Sequence, residues 1–319
     1  MFGQFSGYTD SLIVTLTINP AIDRNISADK LVFEDRGYIL ATSESAGGRG
    51  INASRVIHSF GGKTVAIAAS GGIAGRRFED LLGQSTFPVE VVRISQEMRT
   101  NFTISDKHGL TVKLNELGPS ITRKELDDVE QTVAGKLDSA TWLMLCGSLP
   151  PGVSEDFYHR LIEIAKKRNV KTLLDTDGDA LLRGIEAKPS TVAPNQQEAE
   201  RLLNRALVTR SHFFEACERL HAMGAEMVLL SLGSRGAVAR DASGLYEAVP
   251  PRIDAVCPIG AGDAMAAAFV WALDKGTTFQ EAVRWGVAAG TASAKLPGLT
   301  FATLEQTRDV FKRVELRPV

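Results

Sequence analysis

A chain of 319 residues has room for one large domain, or a large domain with a small appendage. A formal charge of −2 gives no electrostatic reason to expect nucleic acid or an anionic membrane as partner, and three cysteines far apart in sequence rule out a CxxC zinc or redox pair. No apolar run approaches membrane-spanning length, and no basic segment followed by a signal-like apolar stretch opens the chain. We therefore expect a cytoplasmic protein with reduced thiols.

Residues 12–18 are apolar and rich in β-formers, and Asn19-Pro20 ends them, which predicts a first strand. Asp23 follows directly, past the C-terminal end of that strand, where open α/β sheets bind ligands; alone it reads as readily as a turn residue. Residues 31–46 read as extended with weak alternation. The stretch Ala46-Gly47-Gly48-Arg49-Gly50-Ile51-Asn52 predicts a glycine-rich turn running into a helix that Gly61-Gly62 stops. It lacks the spacing of a dinucleotide fingerprint, and Gly62-Lys63-Thr64 lacks the earlier glycine of a P-loop. Three glycines around Arg49, with Asn52 a turn on, suit a polyhydroxy anion.

Strands are predicted at 64–70 and 87–93 with a helix near 74–83 between them. Residues 99–105 and 109–115 alternate around Lys107-His108-Gly109, which predicts a hairpin with Arg99 at its start. From residue 122 the alternation is regular: helices at 122–137, 154–169 and 211–224, and strands at 141–146, 170–175, 190–193 and 227–231. Asn195 and Glu198 have capping-box spacing at the start of a further helix. Leu232 to Gly236 predicts a tight turn into 237–240.

Pro258-Ile259-Gly260-Ala261-Gly262-Asp263 then opens an alanine-rich helix, followed by helices near 279–296 and 303–314. A helix N-terminus offers unpaired N–H groups and a positive dipole end to an anion. A carboxylate beside such an anion hole is poorly placed to bind phosphate and well placed to take a proton from an attacking hydroxyl. Strand–helix alternation of this kind predicts a mainly parallel sheet covered on both faces. The histidines show no metal-ligand spacing.

Four motifs in order, Gly47 to Asn52, Asn195 to Glu198, Ser231 to Gly236 and Gly260 to Asp263, resemble the PfkB (ribokinase-like) carbohydrate kinases, from about residue 12 to the C-terminus. Thr17 to Asp23, Arg99 to Thr103, Asn115-Glu116 with Gly118-Pro119, and Gly147 to Gly152 resemble its 1-phosphofructokinase and tagatose-6-phosphate kinase branch. The resemblance implies a single three-layer α/β/α domain over 1–319 with a small β-sheet lid from about 20–46 and 96–116. It implies ATP-dependent phosphorylation of a ketohexose phosphate, such as fructose 1-phosphate or tagatose 6-phosphate.

Carried over by position, Asp263 is the general base, and the backbone of Gly260, Ala261, Gly262 and Asp263 the anion hole. Asp23, Gly48 and Asn52 hold sugar hydroxyls. Arg99, with Arg49 and Ser148, holds the substrate phosphate. Asn195 and Glu198 organise Mg2+, Ser231, Gly233 and Gly236 line the ATP, and Thr291 lies near its adenine. The loop around 254–259 would take K+, and a homodimer would form through the lid. Three positions depart from the branch: Arg49 and Ala193 stand where many members have lysine, and Cys257-Pro258 where a polar residue is usual. The competing readings are a kinase of an unphosphorylated sugar or nucleoside, and a non-catalytic sugar-phosphate-binding protein.

Overall fold

The structure, a computed structural model, describes residues 11–319. The chain runs through β1 (Leu12–Thr17), β2 (Ala21–Ala28), β3 (Ile39–Gly47), α1 (Arg49–Ser59), β4 (Lys63–Ser70), α2 (Gly72–Leu82), β5 (Val89–Arg93), β6 (Arg99–Asp106) and β7 (Thr111–Asn115). It continues with α3 (Arg123–Leu137), β8 (Ala140–Cys146), α4 (Phe157–Lys166), β9 (Lys171–Asp175), α5 (Gly178–Glu186), β10 (Thr191–Val192), α6 (Gln196–Leu203), α7 (Arg210–Ala222) and β11 (Met227–Ser231). Last come β12 (Ala237–Asp241), β13 (Gly244–Val249), α8 (Ala261–Asp274), α9 (Phe279–Ser293), α10 (Leu304–Phe311) and β14 (Glu315–Pro318).

Ten strands form one sheet in the order β14-β13-β12-β11-β10-β9-β8-β1-β4-β5. Every pairing from β5 to β11 is parallel, and the three from β11 to β14 are antiparallel. Side chains alternate across the strands and divide the core into two layers. Val14, Leu16, Leu143 and Leu145 point into a layer with residues of α3, α4, α5 and α7. Ile13, Trp142 and Met144 point the other way, against α1, α8 and α9. The expected three-layer α/β/α arrangement is therefore present.

A second sheet, in the order β3-β2-β6-β7, stands apart from the first. Residues 99–115 form the predicted hairpin, and β6 pairs parallel with β2. The extended stretch predicted at 31–46 is strand only from Ile39, and β2 had no prediction. Its sequence AIDRNISA does not alternate cleanly, and Asp23, Arg24 and Asn25 in a row read as turn chemistry. Also unpredicted are α5, whose Gly178 and Gly184 weaken helix propensity, β13, and β14, which carries Pro318 at a sheet edge.

Crossovers from β1 go to β4 on one side, while β8 flanks β1 on the other. This is the switch point of the sheet, and a crevice opens there at the C-terminal strand ends. Among the described residues no helix is long and apolar enough to cross a membrane.

Candidate active site

A cleft of about 840 Å³ lies between the C-terminal ends of β1 and β8, the inner face of the small sheet and the 256–263 turn. A second chamber of about 180 Å³ lies beyond it, lined by Asp175, Ala193, Asn195, Glu198, Ser231 and Gly262. Among the described residues only Arg49 and Asp263 line both, so they form the seam between the chambers.

Asp263 occupies the first turn of α8. Gly260 adopts φ 79°, which turns the chain into the helix at an angle that favours glycine. The N–H of Ala261 is spent on the Pro258 carbonyl at 3.2 Å, whereas those of Gly262 and Asp263 bond to no described residue. No described atom lies within 4 Å of a Cβ placed on Gly262, so the backbone there is open to an approaching group. Asn52, one turn into α1, donates its Nδ2 to Asp263 Oδ2 at 2.7 Å and leaves Oδ1 free. The Asp263 carboxyl keeps an edge open to the chambers but is densely surrounded by protein. Loss of water, followed by the nearby Asp175 charge, pushes its pKa up to about 7.

Arg49 forks between Asp175 (Nη1, 2.6 Å) and Glu198 (Nη2, 2.9 Å), and their charges raise its pKa. It therefore points toward the smaller chamber, which Ala193 also lines. Glu198 is fully engaged: Oε1 accepts from Arg49 and Oε2 from the Asn195 N–H, while Asn195 Oδ1 accepts from the Glu198 N–H. Asn195 and Glu198 thus close the capping box that their spacing predicts. Burial raises the Glu198 pKa against the Arg49 charge.

Arg99, at the start of β6, bonds the carbonyls of Asn19 (2.9 Å) and Glu116 (3.1 Å) but forms no ion pair with a described carboxylate. Burial lowers its pKa, with Asp23 the largest compensating charge. Asp23 accepts from Asn101 Nδ2 at 2.9 Å, and burial raises its pKa. A Cβ on Gly47 would collide with its carboxylate, so the Gly47-Gly48 turn leaves room for it. Ser148 Oγ accepts weakly from Asn19 Nδ2 at 3.4 Å.

Five buried polar atoms around this cleft have no hydrogen-bond partner: Thr17 Oγ1, Asn19 Oδ1, Asn52 Oδ1, Arg99 Nε and Asn101 Oδ1. Buried polar atoms are normally paired, so a cluster of unpaired ones marks where a polar ligand completes the set.

Of the residues predicted from sequence, Asp23, Gly48, Arg49, Asn52, Arg99, Ser148, Gly260 and Asp263 line the larger cleft. Asn195, Glu198, Ser231 and Gly262 line the smaller chamber, again with Arg49 and Asp263. Gly233 and Gly236 flank the latter in a 3-10 turn and take positive φ, 62° and 92°. Thr291 lines neither; it lies on α9 with its hydroxyl donated to the Val287 carbonyl at 2.7 Å. Sequence reading missed Asp175, Asn101, Asn19 and Thr17. Asp175 carried a signal, since it ends a parallel strand just as Asp23 follows one. The amides carried none, because their role depends on the pairing of β2 with β6.

The model of the pfkB family of carbohydrate kinases matches residues 11–306. The ATP-dependent 6-phosphofructokinase isozyme 2 of Mycobacterium tuberculosis is 33% identical over 306 residues, covering 94% of this chain and 89% of that relative. The 1-phosphofructokinase of Borreliella burgdorferi is 30% identical over 284 residues, 89% of this chain and 92% of that one. Among solved structures, phosphofructokinase-2 from Escherichia coli in complex with substrates and products superposes with a TM-score of 0.88 at 30% identity, over 94% of this chain and 98% of that one. The matched span includes both chambers, the small sheet and every strand of the large sheet but β14, and the chain belongs to the pfkB family of carbohydrate kinases.

Proposed function

We propose that this chain is an ATP-dependent kinase of a ketohexose phosphate, producing a bisphosphate. The observation that carries this reading is the seam. A carboxylate with a free oxygen and a raised pKa stands beside two unpaired N–H groups, between a polar cleft and a smaller chamber. Phosphoryl transfer asks for that arrangement: an acceptor hydroxyl on one side, a phosphate on the other, and a base between them.

Asp263 Oδ1 takes the proton of the acceptor hydroxyl, and the Asn52 amide holds the carboxyl in place through Oδ2. The N–H groups of Gly262 and Asp263, with Gly260 shaping the turn and Ala261 fixing it, meet the charge on the transferring group. Asp23, Asn52 and Gly48 orient sugar hydroxyls, and Arg99 with Ser148 holds the phosphate already on the sugar. Arg49, read from the sequence as a further ligand of the substrate phosphate, is instead shared by Asp175 and Glu198 and holds those two carboxylates at the seam. Ser231, Gly233 and Gly236 border the nucleotide, and Thr291 stands on the helix behind it.

Among the described residues no group of three or more acidic, histidine or cysteine side chains has metal-holding geometry. With its carboxylate oxygens in use, Glu198 fits Mg2+ only through water, as Asn195 does, the remaining ligands being nucleotide phosphates. Bound in that way, the ion would screen phosphate charge. The loop around 254–259 is the proposed place for K+, beside the anion hole.

The small sheet is read as a lid on a single domain. Its cleft face is polar throughout (Asp23, Asn25, Asn101, Thr103, Lys113, Asn115), and its other face carries Ile26, Phe102, Ile104, Val112 and Leu114. That apolar face supports a homodimer through the lid. A cytoplasmic location completes the proposal.

An ADP-release assay with Mg-ATP and K+ tests it, comparing fructose 1-phosphate, tagatose 6-phosphate, fructose 6-phosphate, fructose and ribose. Turnover confined to phosphorylated ketohexoses is the expected result. Turnover only with an unphosphorylated sugar would overturn the role of Arg99, and silence with every acceptor would leave a sugar-phosphate-binding protein.

A further inference from the structure

Beside the sugar cleft, and separated from it by the 299–301 segment, lies a second cleft of about 460 Å³ between α1, α2 and β3. Arg55, one helical turn beyond Asn52, points its guanidinium along this cleft and stacks over the Phe301 ring at 6.0 Å. It has no hydrogen bond and no ion pair with any described residue. Glu44, the acid among the described lining residues, is already held by Arg24 (2.6 Å) and Arg77 (3.0 Å), and the carboxylate that acts on Arg55 through space is Asp23 of the sugar cleft. Ser45 Oγ, also in the lining, is buried and unpaired. Ser59, Ser85 and Thr86 add hydroxyls. An unpaired, half-buried guanidinium, an unpaired buried hydroxyl and a rim of further hydroxyls are the parts of an anion site. Burial also lowers the Arg55 pKa, and the Asp23 charge nearby offsets this only in part.

We propose that this cleft is a second, regulatory site for a small phosphate-bearing molecule, held by Arg55 and Ser45 Oγ. Its walls touch the catalytic machinery in two places. Ser45 pairs across the small sheet with Asp23. Leu299 and Phe301 pack on Gly260, where an added Cβ would stand 2.8 and 2.9 Å from their side chains. An occupant that moves either wall moves the sugar-hydroxyl ligand or the anion-hole turn, which is the physical link a regulator needs.

Amide hydrogen exchange of the full chain tests the site without relying on turnover, so it stands or falls separately from the kinase reading. The reporters are amides 84–87, which line this cleft and not the sugar cleft. Inorganic phosphate and ADP are the two probes. The expected result is saturable protection of 84–87, weakened about tenfold or more in midpoint by Arg55→Met, partly restored by Arg55→Lys, and retained in Arg99→Ala. Protection by both probes assigns a site for a bare phosphate group, and protection by ADP alone assigns a nucleotide site. If neither probe protects 84–87, or if protection survives Arg55→Met and disappears in Arg99→Ala, the site does not exist. Should Arg55→Met melt well below the unmutated chain, Ser45→Ala replaces it, with a several-fold weaker midpoint expected and an unchanged one counting against the site.

Discussion

Arg49 and Arg99 are both cations of the cleft, yet their surroundings divide their work. Arg49 is neutralised by Asp175 and Glu198, whereas Arg99 holds only backbone carbonyls and keeps its charge for an anion. Arg99→Ala should raise the KM for a sugar phosphate about a hundredfold and leave the KM for ATP within about twofold. Arg49→Ala should lower kcat more than either KM, because it leaves two buried carboxylates unpaired and negative charge facing the phosphate at the seam. Steady-state kinetics with both substrates varied checks the split; equal effects of both variants on sugar-phosphate KM would contradict it.

The raised pKa of Asp263 makes a second demand at this scale. Its base form is the ionised one, so kcat/KM should climb with unit slope as pH rises toward about 7 and then level off. The folded protein binds this proton more tightly than the unfolded chain does. The contribution to stability is therefore present at low pH and lost as pH rises through about 7. Asp263→Asn should gain about 2 kcal/mol of stability relative to the unmutated chain between pH 5 and pH 8, read from denaturant melts at both pH values. A difference independent of pH would mean that the carboxyl titrates normally.

At the scale of elements, the proposed anion hole depends on how closely α9 packs behind α8. Cβ atoms on Gly286 and Gly290 would stand 2.9 and 2.8 Å from the backbone oxygens of Met265 and Ala261. The small residues of α8 and these glycines let the two backbones meet just behind the catalytic turn. Gly290→Ala should cost about 1–2 kcal/mol, a backbone clash outweighing the better helix propensity. Gly262→Ala meets no atom within 4 Å and should stabilise the helix by about 0.5–1 kcal/mol. It should nonetheless lower kcat more than tenfold, because the methyl fills the space that a phosphate needs. Thermal melts together with turnover check the pair; a fully active Gly262→Ala would argue against phosphate at α8.

How far the sequence reached also divides along elements. The parallel core was legible, because its strands are continuous apolar runs and its helices carry caps such as Thr122 with Glu125. The two glycine turns were legible because positive φ or close backbone approach leaves few alternatives to glycine at Gly48 and Gly260. The inner face of the small sheet was not, since Asn101 meets Asp23 only through a parallel pairing of segments far apart in sequence. Nor was the direction of Arg49, which depends on two carboxylates arriving from β9 and α6.

For the whole molecule, the open question of assembly falls on the outer face of the small sheet. Val112 and Leu114 are 40% and 55% exposed there, beside half-buried Phe102 and Ile104. An apolar sheet face of this kind is covered in solution by a second copy of the chain in the proposed dimer. Leu114→Asp should weaken dimerisation at least tenfold by sedimentation velocity and lower activity at dilute concentration, with the main sheet unaffected. A chain that sediments as a monomer before mutation would remove the lid from the interface.

The central claim is that the carboxylate at the seam of two chambers drives phosphate transfer between them. The most direct measurement is single-turnover transfer from Mg-ATP to the preferred sugar phosphate by Asp263→Asn, with ATP and sugar-phosphate affinities measured alongside. The account predicts a loss of at least about a thousandfold in the transfer step with both affinities within a few-fold of the unmutated chain, since the amide keeps the shape and cannot accept the proton. Transfer at an unchanged rate would contradict it and would place the base elsewhere in the cleft.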